Sequence, residues 1–164
     1  MSHSRFVSWC PVVILAASLL AAAPGQAQTN PPAAARPDLP VKVRALAAQP
    51  GEVSLYEISF TTADSLTRRA EIILDFPAEF DLSLLRVASS TSINGGFKLV
   101  RERNQVRVQR TGLGAVIPPG RKVELQLGLI KNPSRLTNSY EVGLEIRSSG
   151  QTVQVARKNH RIEF

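Results

Sequence analysis

The sequence predicts an all-β protein, a single-domain sandwich of about seven to nine antiparallel strands. Three observations predict it. Apolar and polar residues alternate with period two in run after run between residues 41 and 155, the mark of strands with one buried and one solvated face. Gly, Pro, Asn and Ser cluster between the runs, where turns need them. No window of the body repeats apolar residues at helical spacing.

The elements follow in chain order. Val41 and Val43 alternate with Lys42 and Arg44, and Gln49-Pro50-Gly51 then turns the chain into Tyr56, Ile58 and Phe60. Residues 62–68 read as an irregular crossover. Ala70, Ile72, Leu74 and Phe76 form the next inward set, and residues 83–87 could make one helical turn. Asn94-Gly95-Gly96 leads into Phe97 and Leu99, and Arg103-Asn104 turns a hairpin into Val106 and Val108. Pro118-Pro119-Gly120 precedes Val123, Leu125, Leu127 and Leu129, and Asn132-Pro133-Ser134 follows them. Tyr140, Val142, Leu144 and Ile146 alternate next, and Ser148-Ser149-Gly150 joins them to Val153 and Val155. Burying side chains of this kind contributes about 1.5–3 kcal/mol each. The expected core comprises Tyr56, Ile58, Phe60, Ile72, Leu74, Phe76, Leu125, Leu127, Tyr140, Val142, Leu144 and Ile146.

The N-terminus reads as an address. Residues 1–5 carry Arg5, residues 12–23 read VVILAASLLAAA, and small residues stand at Gly25 and Ala27. A charged start, a short apolar run and a small-x-small exit make a cleavable signal peptide. Cleavage is expected after Ala27, so residues 1–27 are the signal and the mature chain keeps no transmembrane segment. Residues 28–40, QTNPPAAARPDLP, are a Pro/Ala-rich arm that cannot build a core and is expected to be disordered. Residues 41–164 are the domain. The protein is therefore expected to be exported, to the periplasm or outside the cell.

Composition excludes several chemistries. The only Cys, Met and Trp are Cys10, Met1 and Trp9, all within the expected signal, and His160 is the one histidine besides His3. The mature chain can have no disulfide, no thiol catalysis, no Cys/His zinc site and no haem ligated by Cys or paired His. The sequence implies no cofactor and no metal.

Several segments together carry a resemblance. They are Tyr56-Glu57-Ile58-Ser59-Phe60-Thr61-Thr62, the stretch Phe76-Pro77-Ala78-Glu79-Phe80-Asp81, the turn Ile117-Pro118-Pro119-Gly120, the closing Ile130-Lys131-Asn132-Pro133, and Tyr140-Glu141-Val142. In this order they resemble immunoglobulin-like sandwich modules of bacterial secreted and cell-surface proteins, over about residues 40–156. The resemblance implies an immunoglobulin-like β-sandwich with a spacer, adhesive or binding role.

Candidate sites are few. Asp75, Glu79 and Asp81, with Asp64 nearby in sequence, could supply a carboxylate pair for glycoside hydrolysis or oxygen ligands for calcium. No D-x-D-x-D-G spacing is present, and Asp81-Leu82-Ser83 reads as a turn. Ser89–Ser92 lacks a nucleophile elbow, and Gly112-Leu113-Gly114 does not continue as a phosphate loop. The basic balance stands out: Lys and Arg total 20 against 13 acidic residues. Arg101, Arg103, Arg107 and Arg110 gather on one expected hairpin, and Arg157, Lys158 and Arg161 form a basic tail. Guanidinium groups make two-pronged bonds to carboxylate, sulfate and phosphate, so these four arginines are the candidate anionic-ligand face. Solvated charges that protect an edge strand would leave the same pattern. Nucleic acid is set aside, because no aromatic stacking platform accompanies the charges.

The sequence thus reads as a non-enzymatic exported module that binds or scaffolds at the bacterial envelope or cell surface, with an anionic polysaccharide or an envelope protein as partner. Two alternatives stay open: a carbohydrate-active hydrolase using the loop carboxylates, and a pilus-type subunit that exchanges its tail, Arg161-Ile162-Glu163-Phe164, with a partner.

Overall fold

The computed structural model describes residues 40–137 and 140–164. The expected signal peptide and nearly all of the arm lie outside the described residues, as do the side chains of residues 157–160. Nine strands stand among the described residues: β1 (Val41–Ala45), β2 (Val53–Thr61), β3 (Glu71–Asp75), β4 (Val87–Ser89), β5 (Phe97–Glu102), β6 (Gln105–Arg110), β7 (Lys122–Lys131), β8 (Glu141–Ser148) and β9 (Gln151–Glu163). Their hydrogen-bonded order is β4-β7-β2-β1-β9-β8-β3-β6-β5. The period-two runs generate this order because each buries one face, and the two resulting layers close on a common core.

Strand β9 belongs to both layers. It pairs antiparallel with β8 from Ser148↔Gln151 to Glu141↔Arg161, and then Ile162 and Glu163 pair parallel with Val43 and Arg44 of β1. The layers are therefore β4-β7-β2-β1 and β8-β3-β6-β5, with β9 running along both. An all-antiparallel sandwich was the expectation; the β1/β9 pair is parallel, because the end of β9 runs alongside β1 in the same chain direction. Ile162 is buried there. The tail residues Ile162 and Glu163, part of the candidate segment for strand exchange, pair with β1 of their own chain.

All twelve expected core residues are buried except Tyr140, which is half-buried and packs against the core. Tyr56, Phe76, Phe80 and Tyr140 form a run of edge-to-face and tilted rings with centroids 5.2–6.0 Å apart, the geometry that aromatic quadrupoles favour. The buried Tyr56 hydroxyl donates to Asn132 Oδ1, and Asn132 Nδ2 donates to the carbonyls of Ala47 at 3.0 Å and Gln49 at 2.8 Å. Burial pushes the Tyr56 phenol well above its ordinary pKa.

Two positions depart from simple alternation. Leu129, expected inward, is 45% exposed at φ 70, and Ile130 is buried instead. Between Ser54↔Ile130 and Tyr56↔Leu127, β2 advances two residues while β7 advances three. This is a β-bulge, and its extra residue reverses the facing of everything beyond it. Ile73 has outward parity, like Glu71 and Asp75, yet it is buried. Its cross-strand neighbours are Arg107 and Glu145, long side chains whose stems can cover an apolar residue.

Candidate functional site

The β5–β6 hairpin forms as expected, with Glu102↔Gln105 closing a two-residue turn and Arg103 at φ 53. The structure divides its four arginines. Arg103 is exposed at the turn, and Arg107 is half-buried on the outer face. Neither side chain makes a hydrogen bond or ion pair among the described residues, and the Arg107 Nε is shielded from water without a partner. Arg101 is exposed, but its Nη1 donates to the carbonyls of Leu82 at 2.8 Å and Ser83 at 2.5 Å.

Arg110 does not join them. As part of a ligand face it was expected at the surface, and it is 2% exposed. Its Nη1 donates to the carbonyls of Leu66 at 3.2 Å and Thr67 at 2.6 Å, and its Nη2 to those of Asn94 at 3.4 Å and Ala115 at 2.6 Å. The core-side parity that it shares with Val106 and Val108 turns it inward. There a planar fork of donors meets four loop carbonyls, of which those of Leu66 and Thr67 also accept the amides of Ile117 and Ala70. Burial lowers its pKa from the ordinary arginine value.

The carboxylates are engaged one by one. Asp75 accepts from Gln105 Nε2 at 2.8 Å, Asp81 from the Ser83 amide at 2.8 Å and Asp64 from the Ser65 amide at 2.7 Å. The Ser83 amide bond holds the Asp81 carboxyl below its usual range. Glu79 is exposed. Among the described residues no cluster of three His, Cys, Asp or Glu could hold a metal ion. The Ser90 hydroxyl donates to the Glu124 carbonyl and accepts from the amides of Ser92 and Ile93, at 3.2 and 3.0 Å, so it is built into its loop. Gly114 is also structural: a Cβ there would stand 2.0 Å from the Asn94 carbonyl oxygen.

A second basic site lies at the opposite end of β6 from Arg103. Three connections meet there: residues 67–69 before β3, residues 111–116 after β6, and the Ser149-Gly150 turn after β8, whose positive φ values of 53 and 77 match a tight hairpin turn. They surround an open cleft of about 780 Å³ whose lining includes Arg68, Arg69, Arg147, Glu71, Gln109 and Leu113. Arg147 Nε lies 2.8 Å from Glu145 Oε1, a pairing that raises the Arg147 pKa. Arg69 lies over Gly112, its Nε 3.7 Å from where a Cβ would stand. The sequence reading passed over Arg68, Arg69 and Arg147, because they sit on separate segments that only the sheet register brings together. Their one sequence signal is the Arg68-Arg69 pair directly before a strand.

No family model matches the chain, and no curated protein does. Solved structures of similar shape include a cohesin module from Clostridium perfringens (18% identity, 75% of this chain and 96% of that one, TM-score 0.46). A non-cellulosomal cohesin from Archaeoglobus fulgidus is also similar (19% identity, 71% and 84%, TM-score 0.41). So is a Nocardia farcinica protein with an immunoglobulin-like fold (19% identity, 69% and 80%, TM-score 0.39). The chain also resembles part of a Vibrio harveyi exo-β-N-acetylglucosaminidase (13% identity, TM-score 0.43), spanning 18% of that enzyme's length. The fold, nine strands in two layers among the described residues, is an all-β sandwich, and its likeness to these structures is weak.

Proposed function

We propose that the chain is an exported, non-enzymatic binding module that engages anionic polymers at the bacterial envelope or cell surface. One observation carries this reading. The hairpin β5–β6 is the free edge of its layer, and it presents Arg103 and Arg107 with no carboxylate partner among the described residues. Arg101 pairs with Val106 on the opposite face of the ribbon from Arg107, and its side chain is anchored to the Leu82–Ser83 loop. Unpaired guanidinium groups on one ribbon raise the local potential and draw anionic chains. Export places such a module among acidic polysaccharides and charged envelope surfaces, and the signal-like residues 1–27 support export.

The test is retention of the full chain on immobilised heparin beside an Arg103→Ser, Arg107→Ser variant. Earlier elution of the variant, with unchanged melting, supports the binding ribbon. Co-elution would reduce the ribbon to a charged edge that discourages sheet-to-sheet pairing. Sequencing the N-terminus of the exported product checks the other half of the proposal, and it should begin at Gln28.

A further inference from the structure

The cleft between residues 67–69, residues 111–116 and the Ser149-Gly150 turn is built differently from the ribbon. Its floor is the end of the outer sheet face, where Glu71 pairs with Gln109 on one side and Arg147 on the other. Arg68 and Arg69 reach it with no hydrogen bond or ion pair among the described residues. Three guanidinium groups therefore face one lining carboxylate, Glu71, and Glu145 occupies a single edge of Arg147.

The frame beneath is fixed before any ligand arrives. Leu66 and Ile117 exchange amide–carbonyl bonds at 2.9 and 3.0 Å, and the Ser148 hydroxyl accepts from the Thr67 amide at 3.1 Å and donates to the Ser65 carbonyl at 3.0 Å. Arg110 adds its bonds to Leu66 and Thr67 from below. A loop held this way loses little conformational freedom on binding.

The rest of the lining narrows the ligand class. Thr67 and Gln109 can both donate and accept hydrogen bonds, as sugar hydroxyls do, and Thr111 Oγ1, which donates to the Gly96 carbonyl at 3.1 Å, can still accept one. Leu113, 85% exposed, offers an apolar wall suited to the C–H face of a sugar ring. The volume, about 780 Å³, lies within the range of about 300–1,000 Å³ typical of small-ligand sites. We propose that this cleft binds a short acidic oligosaccharide, with Arg68, Arg69 and Arg147 on its carboxylate or sulfate groups and Leu113 against a ring face. The proposal rests on the reading of the domain as an anionic-ligand module, but it assigns the binding to different residues. Gln105 and Gln109 are about 13 Å apart along β6 at about 3.3 Å per residue. That exceeds the screening length of about 8 Å at physiological salt, so the two sites can be perturbed separately.

The experiment is calorimetric titration of the full chain with tetragalacturonate and with a heparin tetrasaccharide, tetraglutamate serving as the acidic peptide control. Arg68→Ser, Arg69→Ser should weaken sugar binding at least tenfold, Leu113→Ser several-fold, and Arg103→Ser, Arg107→Ser less than twofold. Arg68, Arg69, Leu113 and Arg103 are exposed and Arg107 is half-buried, and melting curves of each variant verify folding. Binding of one sugar but not the other supports the cleft and identifies carboxylate or sulfate as its target. Undiminished binding by the Arg68, Arg69 variant overturns the proposal, as does tetraglutamate binding as tightly as either sugar. If only the ribbon variant loses binding, the cleft assignment falls while the proposed function stands. If the parent chain binds neither sugar and also fails to stay on heparin, the proposed function falls with it.

Discussion

Replacing Arg110 with alanine separates a structural arginine from a ligand-binding one. The side chain makes two short bonds, both 2.6 Å, to the carbonyls of Thr67 and Ala115, and two longer ones to Leu66 and Asn94. Bonds to a charged donor contribute about 1.5–3 kcal/mol each. The short pair alone therefore accounts for about 3–6 kcal/mol, less the cost of keeping a guanidinium out of water. Its removal takes away the side-chain donor of the Asn94 and Ala115 carbonyls, at about 1–3 kcal/mol for each buried acceptor left unsatisfied, and we expect a loss of about 3–5 kcal/mol for Arg110→Ala. It is a large share of a total stability of about 5–15 kcal/mol, and in a domain of this size it lowers Tm by roughly 10–20 °C. Arg110→Lys should recover little of it, because a single ammonium cannot span carbonyls on both sides of the fork. Gly114→Ala should be similarly harmful, since its Cβ would also stand 2.7 Å from Arg110 Nη2. Urea unfolding followed by far-ultraviolet circular dichroism measures each change. A loss below about 1 kcal/mol for Arg110→Ala would refute this reasoning, and so would lost heparin retention at unchanged stability.

Three further outcomes follow from the packing. Phe76→Ala should cost about 3–5 kcal/mol, since Phe76 packs against both Tyr56 and Phe80, whereas Glu124→Ala should leave the urea midpoint almost unmoved. Leu129→Val should destabilise by about 1 kcal/mol or more despite its mildness, because a β-branched residue fits φ 70 poorly; an unchanged melt would contradict the bulge. The Tyr56 phenol is held above its unfolded pKa of about 10. The unfolded chain therefore releases this proton first, and stability present below about pH 10 declines as pH rises further, by up to about 1.4 kcal/mol per pH unit. Unfolding at pH 9 to 11 should show that decline in the parent and a shallower one in Tyr56→Phe.

How legible this fold was in the sequence can be judged residue by residue. Tyr56, Ile58 and Phe60 alternate without interruption and are buried as read, because a half-buried strand imposes period two on its own sequence. Strand β4, Val-Ala-Ser, is too short to show a period. The bulge at Leu129 is invisible to parity, since one extra residue leaves the apolar count intact while reversing the facing. Arg110 shows the limit most clearly. Parity placed it inward, the usual preference of arginine for water argued outward, and the loops supplied enough carbonyls for parity to prevail. The cleft arginines are 78 or more residues apart in sequence on one side, Arg69 to Arg147, and only the β3–β8 register makes them neighbours.

The central claim is that this module binds acidic polymers by charge, and the dependence of affinity on salt tests it most directly. Titrating the full chain with polygalacturonate over a range of sodium chloride concentrations should give an affinity that falls steadily as salt rises, because exposed guanidinium groups are screened over about 8–10 Å at 0.1–0.15 M. Uncharged amylose, measured in parallel, should not bind. Affinity indifferent to salt, or equal affinity for amylose, would contradict the account.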